Sequence, residues 1–356
     1  MNKNLWLALA FLFIGQGVAT HVKASDLGQN RLRGSVKSLE SVEYTPKRVG
    51  IHWEPGAVNL KTIRVFDSEG KMIEETLKDG NNHSLFLTKI GFVGSTKNVE
   101  YTSFKDNGEV DYKESGKLKL DGEVLNMKTL DAKGNLKSSV KSKFDAEGKL
   151  INTTSYDANE NSTCSRHFGY NSSGRLSFIK IEPKDRVSYV EFYDYSSRGD
   201  LIEVKTVDLD GVVLNQLLYT YDADGNRIKT TIYPNLDSNK EHQVTKYNAK
   251  GETIESIYYS PTAEVMQKEL FTYNSDGRVQ KFEVYQSINN VLVNDYTIQY
   301  DEFGNEIDRT TFDAKGIPVN NIQISYKYDA QNNWVEKLEK ENNETSLITK
   351  RTITYY

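Results

Sequence analysis

A short frame recurs along most of this chain and narrows its possible folds: an aromatic residue, then Asp or Asn, then Gly three positions on. It stands at Phe66–Gly70, Phe144–Gly148, Tyr170–Gly174, Tyr221–Gly225, Tyr247–Gly251, Tyr273–Gly277 and Tyr300–Gly304. Variants occupy Phe104–Gly108, Leu130–Gly134, Tyr195–Gly199 and, with Asn332 in place of Gly, Tyr328–Asn332. Gly148, Gly174, Gly199, Gly225, Gly251 and Gly277 lie 26, 25, 26, 26 and 26 residues apart. Between them runs a second series of turn-like sites, including Asp121-Gly122, Asp157–Asn159, Lys184-Asp185, Asp210-Gly211, Asn235–Asn239, Ser260-Pro261, Asn289-Asn290 and Ala314–Gly316. Self-similarity at a fixed period is the signature of a repeat architecture.

The legs between reversals are about 8–10 residues long, or about 27–33 Å as strands at roughly 3.3 Å per residue. Their hydrophobic period is two: Leu217, Tyr219 and Tyr221 fall on one face, Leu218, Thr220 and Asp222 on the other. The Asp or Asn of each frame is suited to accept backbone N–H bonds, and the Gly to supply the left-handed conformation of a tight, bulged hairpin. Helical stripes and caps are essentially absent. One such unit cannot bury a core alone, so neighbours must stack. The expected fold is all-β: an elongated antiparallel meander of about eleven hairpin repeats of 26 residues.

Composition agrees with that reading. Of 356 residues, 22 are Tyr, 24 Gly and only 6 Pro; the frame accounts for much of the Tyr and Gly, and an unbroken ladder disfavours Pro. With 50 acidic against 45 basic residues the chain lacks the basic footprint of a nucleic-acid binder. At 37% hydrophobic and 27% charged it reads as neither a polytopic membrane protein nor a charge-driven disordered chain. Lys3, the apolar run Leu5–Val18 and the small residues Val22 and Ala24 have the three-part layout of a signal peptide over 1–24. The expected division is therefore a signal peptide (1–24), an N-terminal cap region (25–60) and the repeat array (61–356), cap and array forming one domain. The expected location is extracytoplasmic, periplasmic or secreted, with no membrane span after cleavage. Cys164 is the single cysteine and has no internal disulfide partner.

The quoted frames, above all Tyr219-Thr-Tyr-Asp-Ala-Asp-Gly-Asn226 and Tyr326-Lys-Tyr-Asp329, resemble YD repeats, the unit of Rhs and teneurin-type proteins. The opening Leu32-Arg-Gly-Ser-Val-Lys-Ser-Leu39 and the segments Asn333–Lys337 and Lys350–Tyr356 are similar to secreted bacterial YD-repeat-like proteins of unassigned function. In the Rhs family such repeats build a spiralling β-shell around a toxin domain. This chain is far shorter and ends on the array, so the resemblance implies an open, curled repeat sheet without cargo.

Chemistry is sparse. Asp208-Leu-Asp210-Gly211 and Asp222-Ala-Asp224-Gly225 lack the flanking ligands of an EF-hand loop and read as capped turns. Cys164 and His167, three apart on a strand, point to opposite faces. Glu74 and Glu75 diverge likewise. No phosphate loop, His-Glu-x-x-His or Gly-x-Ser-x-Gly motif occurs. No cofactor or metal is expected, and no enzymatic activity. The candidate ligand-binding residues are the tyrosines that recur once per repeat, Tyr195, Tyr221, Tyr247, Tyr273, Tyr300 and Tyr328, whose rings and hydroxyls suit glycan or protein surfaces. The expected function is a monomeric, non-enzymatic envelope scaffold or binding protein with a protein or glycan partner. The alternatives are an outer-membrane β-barrel and an immunity-type partner in an Rhs-like toxin system. Against a barrel, Val140-Lys-Ser-Lys-Phe144 and Val279-Gln-Lys-Phe-Glu283 are read as carrying charge on both faces, with no continuous lipid-facing band.

Overall fold

The computed structural model describes residues 32–234, 242–260, 262–286 and 291–356. The expected signal peptide and the turns at Asn235–Asn239 and Asn289-Asn290 lie outside the described residues.

The turns show how the sequence acts locally. In the hairpin at Asp222, Oδ1 accepts the backbone N–H groups of Asp224 (3.0 Å) and Asn226 (2.8 Å), while Gly225 donates to the Asp222 carbonyl. Gly225 sits at φ +89°, in the left-handed region that costs a side chain energy. Asn332, which replaces Gly in its frame, takes the same conformation at φ +60°. The Asn226 backbone N–H and its side-chain amide hold the Asp222 carboxyl below the usual carboxylate range, so the cap stays ionised at neutral pH.

The described residues form 24 strands, β1 to β24 in chain order, each antiparallel to the one before it. The first strand, β1 (Val36–Val49), pairs with β2 (His52–Phe66) on one side and with the last, β24 (Glu344–Tyr355), on the other. Leu39 stands opposite Arg64 in one ladder and opposite Ile353 in the other. The molecule is therefore a closed antiparallel β-barrel. This corrects the expected open, curled sheet with two free edges. Twist coils a long meander, and once its ends meet, pairing them satisfies two rows of backbone groups that an open sheet leaves bare. Much of the segment expected as a cap, residues 36–60, lies in β1 and β2.

The wall is thin. The chain exposes 21,583 Å², against about 14,500 Å² for a compact monomer of this mass. Its tightest packing is at the seam: the largest fully buried side chains are Phe66, Leu39, Val36 and Asn333. Leu32 joins this cluster, with Met72, Ile353 and Tyr355 against it. Just beside it, Asn333 Oδ1 accepts the Arg33 N–H (2.7 Å), and Asn333 Nδ2 donates to the Arg33 carbonyl and the Tyr355 hydroxyl, both at 2.8 Å.

An up-and-down ring has two rims. Turns that follow even-numbered strands share one of them, and it carries Gly70, Gly148, Gly174, Gly199, Gly225 and their successors through Asn332. Strand β1 starts and β24 ends at this same rim.

Candidate functional site

Register divides the wall into two chemically different faces. Opposed residues share a face, so the ladders can be followed strand by strand. One face is aromatic. It carries Phe86, Tyr101 and Tyr112, whose ring centroids step across three strands at 5.9 and 5.8 Å, and Phe271, Phe282 and Tyr296, at 4.8 and 5.0 Å. Ile179, Ile181 and Tyr193 form a buried cluster on it. The other face is charged, with the cross-strand pair Lys61–Glu40 (2.9 Å) and the pairs Lys180–Glu182 (2.7 Å) and Lys281–Glu283 (3.0 Å), two residues apart along one strand.

The two segments that argued against a barrel obey this division. In β8 (Leu136–Phe144), Val140 and Phe144 stand on the aromatic face, and Lys141 and Lys143 alternate with them onto the charged one. In the second segment a bulge at Gln280 shifts the phase by one residue. Tyr273 faces Val279 and Phe271 faces Phe282, while Thr272 faces Lys281 and Leu270 faces Glu283. Lys281 and Glu283 therefore lie together on the charged face. The expectation that charge falls on both faces of these legs fails: in the first, plain alternation puts both lysines on one face, and in the second, strict alternation from Val279 takes no account of the extra residue.

The sequence-selected tyrosines all sit at the rim described above, on the aromatic face. They form a girdle with Phe66, Phe144, Tyr170 and Tyr355. Their hydroxyls turn back to the neighbouring hairpin. Tyr221 donates to the Leu201 carbonyl (2.8 Å), Tyr273 to that of Thr253 (2.6 Å) and Tyr300 to that of Val279 (2.8 Å). Tyr170 does the same to Leu150 (2.7 Å). Tyr247 donates to Thr230 Oγ1 (3.2 Å), and Tyr328 to the Asp301 carboxylate. Tyr195 instead lies beneath the Arg175 guanidinium.

The clasp has a clear cause. The ladder between Leu201–Asp208 and Val213–Tyr221 begins only at Glu203 opposite Leu218, so Leu201 lies beyond its end. The tyrosine hydroxyl supplies a donor there. Tyr221→Phe should lower stability by about 1 kcal/mol, the usual worth of such a bond. Thermal unfolding reads this, and an unchanged midpoint would show that the clasp contributes nothing.

Sequence reading missed the cations of this rim. Lys149 lies over the Tyr170 ring (5.5 Å), Arg175 over Tyr195 (5.7 Å) and Arg278 over Tyr300 (5.7 Å), with Lys71 over Phe92 (5.2 Å). Each directly follows a turn glycine and reaches the aromatic ring of the next hairpin. The signal was present, as a basic residue after Gly70, Gly148, Gly174 and Gly277, but its target is about 20 residues downstream.

Cys164 and His167 stand on opposite faces, as strand alternation requires: Cys164 faces Ser155 and His167 faces Asn152. His167 Nε2 lies 3.0 Å from Glu182. A recess of about 380 Å³ opens over the charged face at Glu74, Lys89 and Glu100, where Gly91 leaves space. Among the described residues no helix is long and apolar enough to cross a membrane, which says nothing of the strands.

No family model matches the sequence, and no curated protein matches it. Among solved structures, the chain is similar to TcdB2-TccC3 without its hypervariable C-terminal region, at 13% identity and TM-score 0.28. That match covers 85% of this chain and 21% of the other, so this chain spans about a fifth of its length. It is also similar to a porin-like protein from Bacteroides uniformis, at 10% identity and TM-score 0.26, covering 90% of this chain and 98% of that one. A porin-like protein from Bacteroides vulgatus matches at 12% identity and TM-score 0.21, covering 91% and 99%. These likenesses are distant.

Proposed function

We propose that the chain is an outer-membrane β-barrel, a passive and non-enzymatic pore whose aromatic face meets lipid and whose charged face surrounds water. The observation that carries this reading is the segregation of the two faces on a wall without edges. A strand can cross hydrocarbon only if all its backbone groups are paired within the protein, and a closed ladder meets that demand. Apolar residues outside and polar residues inside, in strict alternation, are the pattern of membrane barrels. The rim of tyrosines with Lys and Arg over their rings suits a membrane–water interface, where amphipathic rings and long cationic side chains settle. On this reading Tyr195, Tyr221, Tyr247, Tyr273, Tyr300 and Tyr328 are anchors, and the segment 1–24 directs export to the envelope.

A second reading has its own support. Near the seam the aromatic face carries the ion pairs Arg64–Glu75 (2.7 Å) and Arg309–Glu306 (2.8 Å). A lysine or arginine facing lipid at mid-depth costs about 2–4 kcal/mol. Turned inward in a water-soluble barrel, these groups would escape that cost. Extraction separates the two. Membranes from expressing cells, washed with alkaline carbonate, should retain the protein until detergent is added, and the purified protein should open steps of conductance in planar bilayers. Release into the wash without detergent would end the membrane reading in favour of a soluble envelope barrel.

A further inference from the structure

Three consecutive strands differ from the rest of the charged face. In β6 (Val110–Lys119), β7 (Val124–Asp131) and β8 the ladders place Lys113, Lys117, Lys128, Lys141 and Lys143 on that face, and all five are exposed. Elsewhere on the face lysine alternates with carboxylate, as at Lys61–Glu40 and Lys281–Glu283. Here the residues opposite are neutral. Lys128 stands between Ser115 and Ser139, Lys141 between Asn126 and Thr154, and Lys117 between Asn98 and Asn126. Lys113 faces Thr102 and Leu130, and Lys143 faces Asn152. Glu114 belongs to the opposite face, where it accepts from Thr129, while Glu100 of the preceding strand stands on this face opposite Ser115, diagonal to Lys113 and Lys117, at the edge of the strip.

We infer that this strip is an anion-binding sector that makes the pore prefer anions, with small carboxylate- or phosphate-bearing solutes as its class of ligand. The inference rests on the charged face being the channel lining. On adjacent strands the lysines stand diagonally, with Lys128 offset by two residues from Lys113, Lys117 and Lys141, about 7–8 Å apart, and Lys141 and Lys143 on one strand are about 6.6 Å apart, a two-dimensional array of like charge. Its five ammonium groups outnumber the carboxylate beside them, and such an array draws counter-ions from solution. The hydroxyl and amide groups of Ser115, Thr154, Asn126 and Asn152 lie between the lysines, where a carboxylate or phosphate held by one ammonium finds second donors. Lys141 is held over the Tyr156 ring at 5.0 Å, which fixes the array at one edge.

Salt dependence gives the inference a sharp form. In a wide channel the strip reaches passing ions only over a Debye length, about 30 Å at 0.01 M and about 3 Å at 1 M. The purified full chain in planar bilayers under a potassium chloride gradient near 0.01 M should show a reversal potential on the chloride side. The preference should fade near 1 M. Replacing all five lysines (Lys113→Gln, Lys117→Gln, Lys128→Gln, Lys141→Gln and Lys143→Gln) should cut the chloride-over-potassium permeability ratio about threefold or more at low salt. The same five changed to Arg should keep it. If the fivefold Gln variant does not fold, the pair Lys128→Gln and Lys141→Gln should give a smaller shift of the same sign. Channels of unaltered ratio in a folded Gln variant would overturn the anion sector and leave the pore standing. Absence of conductance from the folded wild type would overturn the pore, and the anion sector with it.

Discussion

Thr352→Pro should open the ring. Thr352 lies mid-way along β24, opposite Glu40 of β1, in the ladder that joins the two ends of the chain. Proline there deletes a ladder hydrogen bond and forces its ring into a strand flanked on both sides, a loss of about 3 kcal/mol or more. For a chain this long that is a fall of roughly 4 °C in the unfolding midpoint. The opened molecule would expose two long edges, β1 and β24, each a template for pairing with another copy. Concentration-dependent oligomers in detergent, read by light scattering after size exclusion, are the expected result. Ala132→Pro, at the second position of an exposed turn, is the control and should be neutral or slightly stabilising. A Thr352→Pro protein that stays monomeric and melts like the wild type would mean that the β1–β24 ladder does not hold the barrel shut.

Asn333→Ala should rank next, at about 3 kcal/mol. The side chain is 2% exposed and spends both its polar atoms on the seam, accepting from Arg33 N–H and donating to the Arg33 carbonyl and the Tyr355 hydroxyl. Alanine removes three part-buried hydrogen bonds, two to the Arg33 backbone and one to Tyr355, each worth about 1 kcal/mol. Asn333→Asp keeps the acceptor for the Arg33 N–H and loses the donors, so it should fall between wild type and Ala. Chemical denaturation gives the ranking, and amide exchange at Arg33 should accelerate in the same order. A loss under about 1 kcal/mol for Ala would show that Arg33 finds other partners, and that the segment before Val36 is not what fastens the seam.

Much of the fold is legible in the sequence because its governing interactions are local. The Asp of each frame reaches backbone groups two and four residues on, as at Asp222 with Asp224 and Asn226, so the motif and the bond it makes fit in one short window. Strand legs follow by subtraction. Closure is not local. It joins Val36 to Tyr355, and nothing in either segment marks the other as its partner. The N-terminal segment in fact keeps the repeat frame poorly, which makes it look like a cap when it supplies β1. The faces were lost to a finer cause. A single unpaired residue at Gln280 exchanges the sides of Lys281 and Phe282, and bulges leave no reliable trace in a sequence. The tyrosine column was legible as a column. That the hydroxyls of Tyr221, Tyr273 and Tyr300 bind backbone carbonyls of the preceding hairpin requires knowing which strands are neighbours and where their ladder stops, as with Tyr221 and Leu201.

The seam has a consequence for bore. Among the described residues every other ladder joins strands consecutive in the chain, and the clasps of Tyr170, Tyr221, Tyr273 and Tyr300 look back one hairpin, so nothing within the array counts how many hairpins there are. Only the meeting of β1 with β24 ends the count. Gain or loss of one hairpin changes the circumference by two strand spacings, about 12 Å for strands tilted about 40°, and the diameter by about 4 Å. Barrel width in this architecture is therefore quantised, and duplicating a stretch of about 26 residues of coding sequence is a single step from one diameter to the next.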